Sequence, residues 1–252
     1  MSDTNRVTAA FIIIGNEILS GRTQDANLSF LAQRLGEIGI QVAEARVIPD
    51  VEPTIIDTVL ELSAKVDYVF TSGGIGPTHD DITADAIAKA FGTETFEHPE
   101  AVAVLERHYA PGEFNQARRK MARVPRGASL LENPVSSAPG FKIENVHVLA
   151  GVPKIMHAMV DMLLPSLSGG SVVESRTITV LIGESIIATE MGAVQDAFSE
   201  IDVGSYPYFK PGASGTSIVL RGSNIAMLDD ALAAITAKLE ARDIEIWTGD
   251  HK

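Results

Sequence analysis

One segment, residues 71–83 (TSGGIGPTHDDIT), constrains the fold of this chain more than any other. It follows residues 67–70 (DYVF), whose β-branched and aromatic side chains are typical of a buried strand. It leads into an amphipathic helix, which we expect from Ile82 to Phe91. Three glycines within four residues permit a tight turn whose backbone N–H groups face an anion such as phosphate. The segment therefore predicts a strand, an anion-binding loop and a helix in succession.

Two adjacent carboxylates, Asp80 and Asp81, close this loop. They would repel a phosphate unless a cation lay between them, so we expect both to hold a divalent metal. The alternative is an aspartate N-cap with no ligand, but a cap requires neither three glycines nor a second carboxylate. The loop lacks the Lys-Ser/Thr ending of a P-loop, and His79 replaces the last glycine of a dinucleotide fingerprint. Ordinary NTPase and NAD-binding functions are therefore excluded.

Composition narrows the class of protein further. With 252 residues, 45% hydrophobic and 21% charged, the chain is long and apolar enough for globular domains. Its net charge of -13 argues against binding nucleic acid or an anionic membrane. The absence of cysteine excludes disulfides, thiolate zinc sites and cysteine nucleophiles. The first apolar run, Ala9 to Ile14, is too short for a membrane span, so we expect a cytoplasmic protein.

Strand and helix patterns alternate through the first part of the chain. Strands are predicted at residues 7–14, 42–48, 67–70 and 146–149, with amphipathic helices between the first three and after the last. This order predicts an α/β domain with a mostly parallel sheet and right-handed crossovers. Residues 92–145 show no comparable pattern, and we predict mainly irregular structure there, apart from a turn before a strand near Phe141.

Ligands of such sheets bind beyond the carboxyl ends of the strands. This rule predicts that segments far apart in sequence form one site. These segments are Gly15, Asn16 and Glu17 after the first strand, Asp50 after the second, Ser72 to Gly76 after the third, and Gly151, Pro153 and Lys154 after residues 146–149.

Positive charge is concentrated at residues 115–123 (NQARRKMAR) of this acidic chain. The stretch is consistent with a clamp on phosphates, to which Lys120 would contribute. It is equally consistent with a solvated helix face whose cations pair with surface acids. The sequence leaves both interpretations open.

Residues 166–171 (SLSGGS) form a small-residue linker, so we predict domains at residues 1–168 and 172–252. The second domain has the order strand, helix, strand, strand, helix, strand. This βαββαβ order predicts a small two-layer α+β domain.

Several motifs together resemble the molybdopterin-binding-like domain of the CinA-type competence/damage-inducible family. They are residues 14–21 (IGNEILSG), 25–27 (DAN), 73–83, 133–141 (NPVSSAPGF) and 150–154 (AGVPK). The His-Asp-Asp loop and residues 204–207 (GSYP) are closer still to the N-terminal domain of eukaryotic FAD synthases. The resemblance implies a MogA/MoaB-like three-layer α/β/α domain, a homo-oligomer (dimer or trimer), and in some members metal-dependent hydrolysis of FAD or ADP-ribose. By the same resemblance, the essential loop aspartate is Asp81, and Asp50 is a second acidic position.

We therefore expect a metal-dependent nucleotide pyrophosphatase that acts on an adenine dinucleotide. Asp80 and Asp81 would hold a cation of the Mg or Co type, brought largely with the substrate, and Asp50 would assist. The expected substrate-binding residues are Gly15, Asn16, Glu17, Asn27, Ser72, Gly73, Gly74, Gly76, Thr78, Lys120, Gly151, Pro153 and Lys154. The alternatives are a protein that binds or adenylylates molybdopterin, and a non-catalytic module that binds a nucleotide or pterin.

Overall fold

The protein is described by a computed structural model covering residues 6–210 and 213–247. Its internal contacts divide the chain into two compact units, residues 1–171 and 172–252. The helices and strands of the first unit are β1 (Val7–Ile14), α1 (Asn16–Leu19), α2 (Asn27–Gly36), β2 (Ile40–Ile48), α3 (Glu52–Ser63), β3 (Tyr68–Ser72), α4 (Thr83–Ala90), β4 (Thr95–Glu97), α5 (Pro99–His108), α6 (Gln116–Arg119), β5 (Arg123–Pro125), β6 (Ser129–Leu131), β7 (Gly140–Ile143), β8 (Val146–Leu149) and α7 (Pro153–Leu163), with 3₁₀ turns at Lys120–Ala122 and Leu164–Ser166.

A six-stranded sheet organises the first unit, in the order β2-β1-β3-β8-β7-β6. β1 pairs in parallel with both β2 and β3, and β3 pairs in parallel with β8. The antiparallel hairpin β6–β7 completes the edge beyond β8. The predicted mostly parallel sheet is thus confirmed. Because β1, β2, β3 and β8 run in one direction, their carboxyl ends lie at one edge.

Helices cover both faces of this sheet. β1 is apolar throughout, and its successive side chains enter two different cores. Ala10, Ile12 and Ile14 pack with α3 and α4, whereas Phe11 and Ile13 pack with α2 and α7. The buried apolar surface on both sides produces the predicted three-layer α/β/α arrangement.

The segment predicted to be mainly irregular contains more regular structure than its pattern indicated. α5 begins at Pro99, which suits the first turn of a helix, and it buries only Ala101 and Leu105. These two side chains form a small separate cluster with Ala122. The prediction for this segment was wrong because two buried positions are too few for an apolar stripe to stand out.

The second unit contains β9 (Glu174–Val180), α8 (Glu184–Ala197), β10 (Asp202–Lys210), β11 (Ala213–Gly222), α9 (Ile225–Glu240) and β12 (Ile246–Trp247). Its antiparallel sheet has the order β10-β11-β9-β12. α8 and α9 share one core with this sheet, which includes Val180, Ile218 and Leu228. The predicted two-layer βαββαβ arrangement is confirmed.

The small-residue segment, residues 166–171, packs on the first unit. The Ser168 N–H donates to the Tyr68 hydroxyl at 3.0 Å, and the Gly170 N–H donates to the Ile38 carbonyl at 3.2 Å. The first unit accordingly continues to residue 171, three residues past the predicted end of the domain. Among residues 6–210 and 213–247, no helix is both long and apolar enough to cross a membrane.

His147 lies within β8 and is 1% exposed, with its ring stacked on Phe70. Burial, helped by the charge of Lys142, lowers the pKa of His147 from 6.5 to about 4. Above pH 6.5 the imidazole is neutral in both the folded and the unfolded chain. Between pH 6.5 and 4 the unfolded chain takes up a proton that the folded chain does not, so the free energy of unfolding falls as pH falls.

We predict that His147→Phe, which keeps an aromatic ring against Phe70, reduces this loss of stability. Between pH 7.5 and pH 4, the free energy of unfolding of the wild type should fall further than that of His147→Phe, by at most about 3 kcal/mol. Urea unfolding of both proteins across this range measures it. An equal decline in both proteins would show that His147 does not contribute.

Candidate functional site

The carboxyl ends of four parallel strands position the predicted site residues. β1 is followed by Gly15, β2 by Asp50, β3 by the glycine loop, and β8 by Gly151. The chain leaves β1 and β3 for helices on opposite faces of the sheet. A crevice at such a switch point is where open α/β sheets bind ligands.

Gly73 brings the loop after β3 close to the end of β1. Its φ is +102°, and a Cβ atom built there would lie 2.1 Å from the carbonyl oxygen of Ile14. Gly74 has a φ of +70°, and its Cβ would lie 2.0 Å from the Thr83 hydroxyl. Only glycine fits either position, since both the backbone angle and the space exclude a side chain.

Thr83 fixes the loop to the start of α4. Its N–H donates to the Gly74 carbonyl at 3.0 Å, and its hydroxyl donates to the Gly73 carbonyl at 3.1 Å. Thr83 is fully buried. One backbone and one side-chain hydrogen bond of Thr83 therefore join the start of the loop to its end, which lets the loop N–H groups be preorganised for an anion.

Gly151, which follows β8, and Asn27, at the start of α2, support the same loop. A Cβ on Gly151 would lie 3.1 Å from the Gly73 Cα, and the Asn27 side-chain amide donates to the Gly151 carbonyl at 2.9 Å. Asn27 is 4% exposed. The sequence predicted Asn27 as a substrate-binding residue; in the structure its side-chain amide contacts Gly151, and its part in substrate binding stays a prediction.

Asp50 organises the end of β1. One of its carboxylate oxygens accepts the Asn16 N–H at 2.9 Å, while the Gly15 N–H donates to the Ile48 carbonyl at 3.1 Å. Asp50 thereby caps the short helix α1, whose N-terminal N–H groups favour a negative charge. Glu17 lies next to this turn, since its carboxylate would be 2.5 Å from a Cβ on Gly15.

Asp81 folds back onto the glycine loop. Its Oδ2 accepts the Thr78 N–H at 2.7 Å and also the Thr78 hydroxyl. Its carboxylate would lie 2.7 Å from a Cβ on Gly76, so glycine leaves it room there. Oδ1 accepts no hydrogen bond from the described residues. This second oxygen remains available for a cation.

Asp80 points towards solvent beside Asp81, with a side chain that is 65% exposed. The Thr78 hydroxyl and the backbone N–H of Asp80 itself lower its pKa, with smaller effects from His79 and Lys120. Asp80 is therefore ionised at neutral pH. His79 is 99% exposed, and its Nδ1 lies 3.9 Å from an Asp80 oxygen.

A pocket lies between the glycine loop and the basic stretch. Its walls include Gly74, Gly76 and Asp81 on one side and Lys120 and Arg123 on the other. The Lys120 ammonium group donates to the Thr78 carbonyl, which places its charge against the loop. Asp85, in the first turn of α4, also lines the pocket.

The cations of the basic stretch fall into two groups, one for each of the two interpretations that the sequence left open. Arg118 donates to the Glu113 carbonyl, and Arg119 forms a 2.6 Å ion pair with Glu97. These two arginines therefore pair with nearby groups on the surface. Lys120 and Arg123 instead line the pocket. Sequence reasoning did not single out Arg123 or Asp85, because their pairing across 38 residues has no local signal.

The remaining predicted residues lie at the edge of this region. Ser72 is the last residue of β3 and is 2% exposed, so its side chain belongs to the interior. Pro153 begins α7, and Lys154 follows it at the exposed surface. Gly151 is the member of this segment for which the structure gives a contact with the glycine loop.

The donors at the pocket suit a hard cation with incomplete protein coordination. Asp80 and Asp81 offer carboxylate oxygens, as Mg²⁺ prefers. Among the described residues, no group of three or more His, Asp or Glu side chains could hold a metal ion. A cation at Asp80 and Asp81 would therefore complete its coordination with oxygen atoms of the substrate and water.

Comparison with known proteins identifies the family. The family described as a probable molybdopterin binding domain matches residues 10–202. The chain belongs to this family. The middle domain of FAD synthase matches residues 172–246.

Relatives and a solved structure extend this result. A protein from Pyrobaculum calidifontis is 37% identical, with 79% of this chain and 80% of the relative covered. A CinA-like protein from Citrifermentans bemidjiense is 34% identical over 80% of this chain and 49% of its own length. The solved structure of the protein CinA from Thermoplasma acidophilum, a protein of unknown function, is 34% identical with a TM-score of 0.59, over 63% of this chain and 98% of that one. The resemblance to the CinA-type family and the MoaB/MogA-like fold are thus confirmed.

We predict that Gly73→Ala destabilises the protein more than Gly92→Ala does. Both positions have positive φ angles, so each alanine carries a backbone cost of about 1 kcal/mol. No heavy atom lies within 4 Å of a Cβ at Gly92, whereas a Cβ at Gly73 meets the Ile14 carbonyl. This overpacking should add about 1–3 kcal/mol, measurable by urea unfolding. Equal losses would contradict the close approach of the loop to β1.

Proposed function

We propose that this protein hydrolyses the pyrophosphate bond of an adenine dinucleotide such as FAD or ADP-ribose, with a divalent metal. The observation that carries the proposal is the pocket itself. It combines the glycine loop, the partly uncommitted carboxylate of Asp81 and the ammonium group of Lys120. The ionised Asp80 lies beside it.

Each group has a chemical task in this reaction. The N–H groups of Gly74 to Gly76 bind phosphate oxygens, and Lys120 neutralises their charge. Asp80 and Asp81 would hold the cation, which when bound withdraws charge from a phosphoryl oxygen and acidifies water. Asp50 has one oxygen committed to the Asn16 N–H, which leaves the other to accept a proton. Water forms a new P–O bond, the bridging P–O bond breaks, and two phosphate monoesters leave; from FAD these are FMN and AMP.

The similarity of residues 172–246 to the middle domain of FAD synthase supports a flavin nucleotide as substrate. The family description supports a second candidate, the binding or adenylylation of molybdopterin by the same loop. A third is a non-catalytic module that binds either ligand. The dimer or trimer and the cytoplasmic location expected from the sequence remain predictions.

Release of AMP distinguishes these functions. The full chain is incubated with FAD, ADP-ribose and related dinucleotides, each with Mg²⁺, Mn²⁺ or Co²⁺, and the products are separated by chromatography. The proposal requires AMP together with FMN or ribose 5-phosphate. ATP-dependent adenylylation of molybdopterin without dinucleotide hydrolysis would instead establish the second candidate. Binding without turnover of either kind would establish the third.

We predict that Asp81→Ala lowers kcat at least about 100-fold, because the charge that stabilises the transition state commonly contributes several kcal/mol. Asp81→Asn retains an acceptor for the Thr78 N–H and should fold normally with a similar loss of kcat. Asp50→Ala should be less severe. Asp161→Asn is the control, since Asp161 pairs with Arg34 on the surface. Activity of Asp81→Asn within a few-fold of wild type would refute its role.

We predict that chelation of divalent ions abolishes hydrolysis and that Mg²⁺ or Co²⁺ restores it. Two carboxylates leave most of the coordination of the metal to substrate and water. The metal should therefore be lost on dialysis without substrate and retained when substrate is present. Elemental analysis of the dialysed protein and steady-state rates provide independent readouts. Full hydrolysis with excess chelator would refute the metal requirement.

A further inference from the structure

Arg123 is held in the pocket by a single nitrogen of its guanidinium group. Its Nη2 donates to Asp85 Oδ1 at 3.1 Å and to the Thr95 hydroxyl. Thr95 in turn donates to the same Asp85 oxygen. Asp85 and Thr95 thus fix the plane of the guanidinium, and the side chain of Arg123 stays 40% exposed.

The other nitrogens of Arg123, Nε and Nη1, donate to none of the described residues. They carry three N–H donors on different edges of the guanidinium group, each able to donate a single hydrogen bond to a phosphate oxygen. Arg119 differs, because its Nε and Nη2 both donate to Glu97. Of Arg119 and Arg123, only Arg123 lines the pocket. It therefore combines a fixed orientation with donors that pair with none of the described residues.

Lys120 and Arg123 are attached to different parts of the pocket wall. Lys120 donates to Thr78 in the glycine loop, so its charge lies at the phosphate that the loop would hold. Arg123 is attached to Asp85 in the first turn of α4, beyond the loop. Two separate cations match two linked phosphates, whereas a monophosphate at the loop needs only Lys120.

Building on the proposed function, we infer that Arg123 is the residue that recognises the second phosphate and so selects diphosphate-linked ligands over nucleoside monophosphates. Asp85 and Thr95 are positioning residues for it. Nothing in this role requires bond cleavage, so it can be tested by binding alone.

Calorimetric titration with α,β-methylene-ADP, whose P–C–P bridge cannot be hydrolysed, and with AMP provides the test. In the presence of Mg²⁺, Arg123→Met should weaken binding of the methylene analogue about 10-fold or more, as expected for a lost hydrogen bond to a charged group. Binding of AMP should change less than about 2-fold. Arg123→Lys, which keeps the charge but loses the planar guanidinium donors, should fall between wild type and Arg123→Met. Arg119→Met is the matched control and should behave as wild type. Circular dichroism melting establishes that each variant is folded.

Equal weakening of both ligands, or no weakening of either, would overturn the inference. The inference would also be overturned if the wild-type protein bound the methylene analogue no more tightly than AMP. If the ratio of affinities changes as expected while FAD and ADP-ribose remain intact with every metal, the inference stands and the hydrolytic function fails. The two results are therefore distinguishable.

Discussion

The contact between Gly73 and the Ile14 carbonyl is the constraint on which the site depends. It brings the loop after β3 against the end of β1, and the loop after β8 then packs on Gly73 through Gly151. Asn27 holds Gly151 from the start of α2. The switch point of the sheet is thus lined by backbone rather than by large side chains. Such a surface lets N–H groups approach phosphate oxygens closely.

The charges near this surface are distributed unevenly. Arg118 and Arg119 are committed to neighbouring acceptors, whereas Lys120 and Arg123 retain donors towards the pocket. Asp81 likewise commits one oxygen to Thr78 and keeps the other free of hydrogen bonds from the described residues. The net charge of -13 therefore says little about the pocket, because local pairing decides which groups remain for a ligand.

The sequence predicted those features that local pattern determines. Continuous apolar strands, alternating helices and the glycine run were sufficient for the parallel sheet and the loop at its edge. The short helix α5 was missed because its buried stripe contains only Ala101 and Leu105. The pairing of Arg123 with Asp85 could not be predicted, since it depends on how β5 packs beside α4. The ion pairs of Arg118 and Arg119 could not be predicted either, since they depend on where Glu113 and Glu97 lie in the fold.

The most direct test of the account is a crystal structure of the full chain with α,β-methylene-ADP and Mg²⁺. The account predicts phosphate density against the N–H groups of Gly74 to Gly76, with the cation between the phosphates and the carboxylates of Asp80 and Asp81. Phosphates bound elsewhere, with this loop occupied by Asp81 alone, would contradict it.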